Sequence, residues 1–276
     1  YSQFEVPDAR RVYTTFEQPD LKSTFTLTVK VPKGWKVFSN APTPSPEEDG
    51  DAWTYRFATT ETMSTYITAI VAGPYQGTTA SLTSSDGRTL DLGVYARASI
   101  VEHLDADEII EITRQGFEFF EGAYGIAYPF TKYDQIFVPE YNAGAMENAG
   151  CVTFRDAYVF RTRPTEAQME ARANTILHEL AHMWFGDLVT MKWWNDLWRN
   201  ESFAEFMSHL ALAEATKYTE GGTGFMVRKD WGLKQDQLPT THPITAEIRD
   251  LADVEGNFDG ITYAKGASVL RQLVSY

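Results

Sequence analysis

His178-Glu-Leu-Ala-His182 constrains this chain more than any other segment. Residues four apart lie on one face of an α-helix, so both imidazoles can reach a single metal ion. Glu179 is one step round the same helix, near such an ion without ligating it. A catalytic zinc takes three protein ligands and keeps a fourth position open. Glu201 follows His182 by 19 residues, at the start of a second predicted helix, in Trp198-Arg-Asn-Glu-Ser-Phe-Ala-Glu205. The intervening segment is long enough to return the chain beside the first helix. Two histidines with a downstream glutamate form a hydrolytic zinc set. One zinc ion per chain is expected.

The surrounding pattern supplies those helices. Thr165-Glu-Ala-Gln168 fits a capping box and predicts a helix running to about Phe185, with Gly186 placed to end it. A second helix is expected over 200–215, and a third from near Gly266. Asp105-Ala-Asp-Glu108 reads as a further helix start, followed by Ile109, Ile112, Phe117 and Phe120 at helical spacing. Short strands are expected at 136–138 and 151–160. Upstream the period changes. Thr24-Phe-Thr-Leu-Thr-Val-Lys-Val31 alternates apolar and polar residues, as does Trp53-Thr-Tyr-Arg-Phe57, and 64–72 and 90–96 are further strand candidates. Three prolines make 41–50 a loop, and Ser84-Ser-Asp-Gly87 reads as a turn. The expected class is α+β, with antiparallel β over 1–97 and a mixed domain over 98–276.

Composition narrows the partners. Lys+Arg 24 against Asp+Glu 38 leaves a net charge of −14 over 276 residues, which argues against nucleic acid or an anionic membrane surface. A single cysteine, Cys151, cannot form an intrachain disulfide and favours a reducing compartment, the cytoplasm. No apolar run approaches the roughly 18 residues of a membrane span. The chain opens on Tyr1 and ends inside a predicted helix, so it reads as a piece of a longer protein, whose signal or anchor segments stay open.

Gly144-Ala-Met-Glu-Asn148 is a small-residue stretch where a substrate backbone could approach closely, with Glu147 facing a cation. By composition alone it reads equally as a surface turn. Taken with the histidine motif and Glu201, it resembles the zinc aminopeptidases of the aminopeptidase N type, in the gluzincin clan. Gln3-Phe-Glu5, Asp8-Ala-Arg-Arg11, Phe16-Glu-Gln-Pro19 and Tyr263-Ala-Lys-Gly-Ala267 are similar to other segments of that family. The likeness runs from residue 2 to 273 and is nearest to bacterial, actinobacterial members.

The resemblance implies a β-rich N-terminal domain, of which 1–97 would be the C-terminal part, followed by a truncated thermolysin-like domain. A further helical C-terminal domain would lie outside this chain. It implies that His178, His182 and Glu201 hold Zn²⁺ and that Glu179 is the general base. Tyr263 would stabilise the oxyanion. Glu5 and Glu147 would bind the α-ammonium of a peptide with a free N-terminus, beside Gln3, Gly144, Ala145, Met146 and Asn148, with Ala143 shaping the first side-chain pocket. Arg199, Ser202 and Glu17-Gln18 depart from the usual pattern at positions bearing on specificity. Glu at position 5 favours an aminopeptidase over the related epoxide hydrolases.

Rival readings are a metalloendopeptidase or epoxide hydrolase on the same zinc site, and a zinc-binding but inactive piece. Other residues read as structure. Glu205 is expected on a solvated helix face, in preference to a role orienting a ligating imidazole. His209 reads as packed or solvated, His103 and His242 lack partners at a ligand spacing, Cys151 is a small buried residue, and the Trp-rich segment 193–198 is packing.

Overall fold

A computed structural model describes residues 1–276. The N-terminal part holds β1 (Thr28–Pro32), β2 (Lys36–Ser39), β3 (Glu47–Asp49), β4 (Ala52–Arg56) and β5 (Ile70–Gly73). They form two antiparallel sheets, β1-β4-β3 and β2-β5. Their inward positions supply a small core of Val31, Val37, Ala41, Tyr55 and Phe57. β3 lies in the expected 41–50 loop, past its last proline. Its three acids make a charged sheet edge, paired as Lys30–Asp49 at 2.6 Å, Lys33–Glu48 at 3.0 Å and Arg56–Glu47 at 3.0 Å. Such an edge discourages pairing with another chain. The first half of the 64–72 candidate is a 3-10 turn over Thr65–Ile67, and only its end is strand.

The second sheet comprises β6 (Tyr75–Thr83), β7 (Thr89–Arg97), β8 (Lys132–Val138), β9 (Ala145–Met146) and β10 (Cys151–Arg155), ordered β6-β7-β8-β10-β9. β7, β8 and β10 run parallel, and the two edge strands are antiparallel. A parallel β7–β8 pair needs a crossover, and α1 (Ala106–Tyr124) provides it. This sheet runs across residue 97, where a domain boundary was expected; a cut there would part β6 and β7 from β8. The hydrogen-bonded ladder changes instead at Pro74, between β5 and β6. β6 has no counterpart among the strands expected from sequence, because its middle, Gln76–Thr79, is exposed and polar on both faces.

α1 packs on this sheet and α2 (Glu166–His182) packs on α1 and β9; α3 (Leu197–Ala215) lies against α2, and α4 (Gly221–Asp236) and α5 (Gly266–Ser275) pack in turn on α3. One core of 50 buried residues joins sheet and helices. The capping box opening α2 is formed in both directions between Thr165 and Gln168. α2 stops at His182, and Gly186 adopts φ +134°, where a Cβ would also collide with Asn200 Oδ1. α3 starts earlier than expected, at Leu197. α4 was not anticipated, because Gly221-Gly-Thr-Gly224 opens it with residues that disfavour helix.

Candidate active site

α2 and α3 lie side by side and bring three ligand atoms together. His178 Nε2 is 3.1 Å from His182 Nε2 and 3.3 Å from Glu201 Oε2, and His182 Nε2 is 3.4 Å from the same oxygen. Ligands bound tetrahedrally to zinc at about 2.0–2.1 Å stand roughly 3.3 Å apart. The triangle therefore has the size a zinc ion needs, and two imidazoles with one carboxylate are a borderline-soft donor set that suits it.

The outer nitrogen of each histidine also faces a polar group. Asn200 Oδ1 accepts from His182 Nδ1 at 2.6 Å, which leaves the Nε2 lone pair for the metal. Asn200 Nδ2 donates to Glu147 Oε1 at 3.2 Å, so one amide joins a zinc-side histidine to the Gly-Ala-Met-Glu-Asn stretch. On the other side, Glu205 Oε2 lies 3.8 Å from His178 Nδ1. Glu205 accepts from Arg228 Nε at 2.7 Å and Nη2 at 3.1 Å, and from His209 Nε2 at 3.3 Å. This corrects the solvated-face reading of Glu205. α4 lays Arg228 across that face of α3, and Glu205 is 2% exposed.

Carboxylates crowd the near end of the site. Ligand atoms of Glu5, Glu147 and Glu201 lie within 4.8 Å of one another, as do those of Glu147, Glu179 and His182. Burial, then repulsion from Glu147 and Glu201, raises Glu5 well above the usual carboxylate range. Burial likewise raises Glu179, partly offset by His182. Glu201 is the exception: burial opposes its charge, but His182 and the hydrogen bonds from both histidines hold it down to about 2. Glu5 Oε1 has no hydrogen-bond partner. The near end thus holds more acid than it can neutralise.

Tyr263 sits in a π-helical turn, Ile261–Lys265, where Lys265 N bonds back to Gly260 O at 2.9 Å. Such widened turns are rare and favour functional positions. Asp259 Oδ1 accepts from the amides of Ile261 and Thr262 at 3.0 Å each, and Ser202 Oγ of α3 donates to Thr262 O. Gly266 permits that approach, since a Cβ would collide with Ser202 Oγ. The turn stacks the Tyr263 ring on His178, centroids 6.1 Å apart. Burial keeps its hydroxyl protonated, well above the usual phenol range.

A cleft of about 920 Å³ opens over these groups, lined by Gln3, Glu5, Ala143, Gly144, Ala145, His178, Glu179 and Tyr263 among others. Ala145 belongs to β9, an edge strand whose outer side can pair with an extended peptide. Not all of the stretch faces the cleft. Met146 is packed in the core, and Asn148 is buried, donating to Thr153 Oγ1 at 3.3 Å. Glu147 is 2% exposed and lies within the ligand cluster but not on the cleft lining. Sequence reasoning missed Asn200, whose signal was its place directly before Glu201. It also missed Arg228, which carries no local signal.

Known proteins are similar to this sequence. Residues 108–276 match the Peptidase family M1 domain, and residues 1–67 match the Peptidase M1 N-terminal domain. The chain is 60% identical over 279 residues to aminopeptidase N of Streptomyces lividans, covering all of this chain and 32% of that protein. It is 38% identical to leucyl aminopeptidase of Saccharolobus solfataricus and 38% identical to tricorn protease-interacting factor F2 of Thermoplasma acidophilum, covering all of this chain and 34% of each relative. It thus spans about a third of the length of the curated relatives it matches. With its zinc-sized ligand triangle, and with matches covering both its β-rich and its helical parts, the chain belongs to peptidase family M1.

Proposed function

We propose that the protein of which this chain is part is a zinc-dependent aminopeptidase that removes the first residue from peptides with a free N-terminus. The observation that carries this reading is the adjacency of two chemistries: a three-ligand triangle of zinc size, and a buried carboxylate excess within 4.8 Å of it. His178, His182 and Glu201 would hold one zinc ion. When bound, zinc supplies Lewis acidity to the scissile carbonyl and lowers the pKa of water.

The chain's own residues do the rest. Glu179 takes the proton of the attacking water and delivers it to the leaving amine, a role suited to a carboxylate raised by burial. Tyr263 donates its hydroxyl hydrogen to the carbonyl oxygen as charge develops there. Glu5 and Glu147 accept the α-ammonium, with Gln3, Ala143, Gly144 and Ala145 shaping the space around the first residue. A cation at that point relieves the mutual repulsion of the carboxylates, so the free ligand-binding energy of the site favours an ammonium over a neutral acyl group. Met146 and Asn148 act by holding the stretch in place.

Two further readings belong here. We put the domain boundary at Pro74 in preference to residue 97, a reading supported by the start of the second sheet at β6. The cytoplasm is favoured by the single cysteine, buried at Cys151, and no helix is long and apolar enough to cross a membrane.

The test is metal content by elemental analysis of the full-length protein, paired with hydrolysis of free and N-acetylated aminoacyl anilides. About one zinc per chain with chelator-sensitive cleavage of free-amine substrates alone supports the proposal. Equal cleavage of acetylated substrates overturns it in favour of an endopeptidase. Zinc without turnover favours the inactive reading.

A further inference from the structure

The cleft continues past the zinc triangle along α2. Asn174 and Glu170 lie four and eight residues before His178, on the same helical face, and both line the cleft. Glu170 is therefore about 12 Å of helix axis from His178. Here the wall presents hydrogen-bond acceptors and no available donor cation. Arg228 is the wall's single Arg or Lys. Its guanidinium is taken up by two bonds to Glu205 and lies over the Trp231 ring, 4.5 Å from the centroid.

Three acceptors remain unfilled. His209 has a side chain only 8% exposed, and its Nδ1 has no partner. Its Nε2 faces Glu205 Oε1 at 3.3 Å, and the tautomer that donates there presents an Nδ1 lone pair to the cleft. Asn174 Oδ1 is also buried without a partner. Glu170 takes part in no ion pair, and its Oε1 lies 3.3 Å from the point where a Cβ on Gly224 would stand, with His209 Nδ1 3.7 Å from the same point. The bare glycine of α4 keeps the space between them open.

A buried acceptor without a donor costs roughly 1–3 kcal/mol, and a ligand bearing several N–H groups would recover it. We propose that Glu170, His209 and Asn174 form a subsite for the cationic side chain of an arginine or lysine downstream of the scissile bond. This rests on the aminopeptidase reading, which puts the peptide's first residue at Glu5 and Glu147. From the scissile bond, one or two residues at about 3.4 Å each and a long side chain span the distance to Glu170. Arginine fits better than lysine, because its planar fork can serve separate acceptors at once.

The test uses the full-length, zinc-loaded protein. Alanyl tetrapeptides carrying arginine at the first, second or third position are compared with the same peptides carrying citrulline, which keeps the shape and loses the charge. An alanyl anilide, lacking downstream residues, is the reference. Arginine at the second or third position should raise kcat/KM about 10-fold over citrulline. E170Q should reduce that ratio below about 3-fold, and H209F should lower it as well. A parent ratio near one, or a preference confined to the first position, overturns the subsite while leaving the aminopeptidase standing if the anilide is cleaved. An undiminished ratio in folded E170Q also overturns it. No cleavage of the anilide removes both readings. Should E170Q not fold, the parent ratios decide.

Discussion

The two flanks of the zinc triangle treat acid in opposite ways. On one flank, Glu5 and Glu147 crowd Glu201 with no arginine or lysine among them, and Glu5 Oε1 has no partner. On the other, Glu205 is as buried as Glu147 but is held by Arg228 twice and by His209 once. Burial penalises a charge on both flanks; what differs is compensation. The compensated carboxylate ties α3 to α4, whereas the uncompensated pair has no cation beside it. A carboxylate's identity and burial alone therefore do not separate function from structure, whereas its partners do.

That contrast can be broken by substitution. The largest effect is expected at the triangle's own base: E179Q should lower kcat by about 10²–10⁴-fold while zinc content stays near one per chain. Loss of zinc in that variant would mean Glu179 helps hold the site rather than moving a proton. E205A should destabilise the fold by about 3–5 kcal/mol in denaturant unfolding, because Arg228 and His209 lose their shared partner. E5Q is the matched experiment. Removing a half-buried acid whose Oε1 has no partner should leave stability unchanged or raise it, while KM for free-amine substrates rises. If E5Q destabilises as much as E205A, the two flanks are not different in kind.

Asn200 sharpens the comparison, since it joins the triangle to the uncompensated flank. N200A should weaken zinc about 10–100-fold in chelator competition, as for other groups that orient a ligating histidine. It should also raise KM for free-amine substrates by freeing Glu147. A change in zinc affinity with no change in KM would show that the amide serves the metal alone. The smallest effect is expected far from the site: K30A, which breaks the exposed Lys30–Asp49 pair on the charged sheet edge, should change stability by less than about 1 kcal/mol.

Legibility followed the range of the forces involved. The capping box at Thr165 and the pairing of His178 with His182 on one face are set by geometry within a few residues and stand where the sequence puts them, whereas the helix ends at His182, three residues short of the expected Phe185. β3 was missed because pairing with β4 outweighed the prolines before it. α4 was missed because packing against α3 and the Tyr263 turn outweighed the helix-breaking effect of its glycines. Glu205 was misread for the same reason, since its burial depends on α4.

By itself, then, the sequence singled out His178, His182 and Glu201 as a candidate ligand set, with the adjacent Glu179 and the tyrosine motif, because helical periodicity and recognisable motifs carry them. Only the tertiary structure decided the rest: that one sheet crosses residue 97, that a π-turn stacks Tyr263 on His178, and that Arg228 neutralises Glu205 while Glu5 stays unpaired. Those outcomes depend on which element packs over which, and the partners are separated by tens to hundreds of residues in the chain.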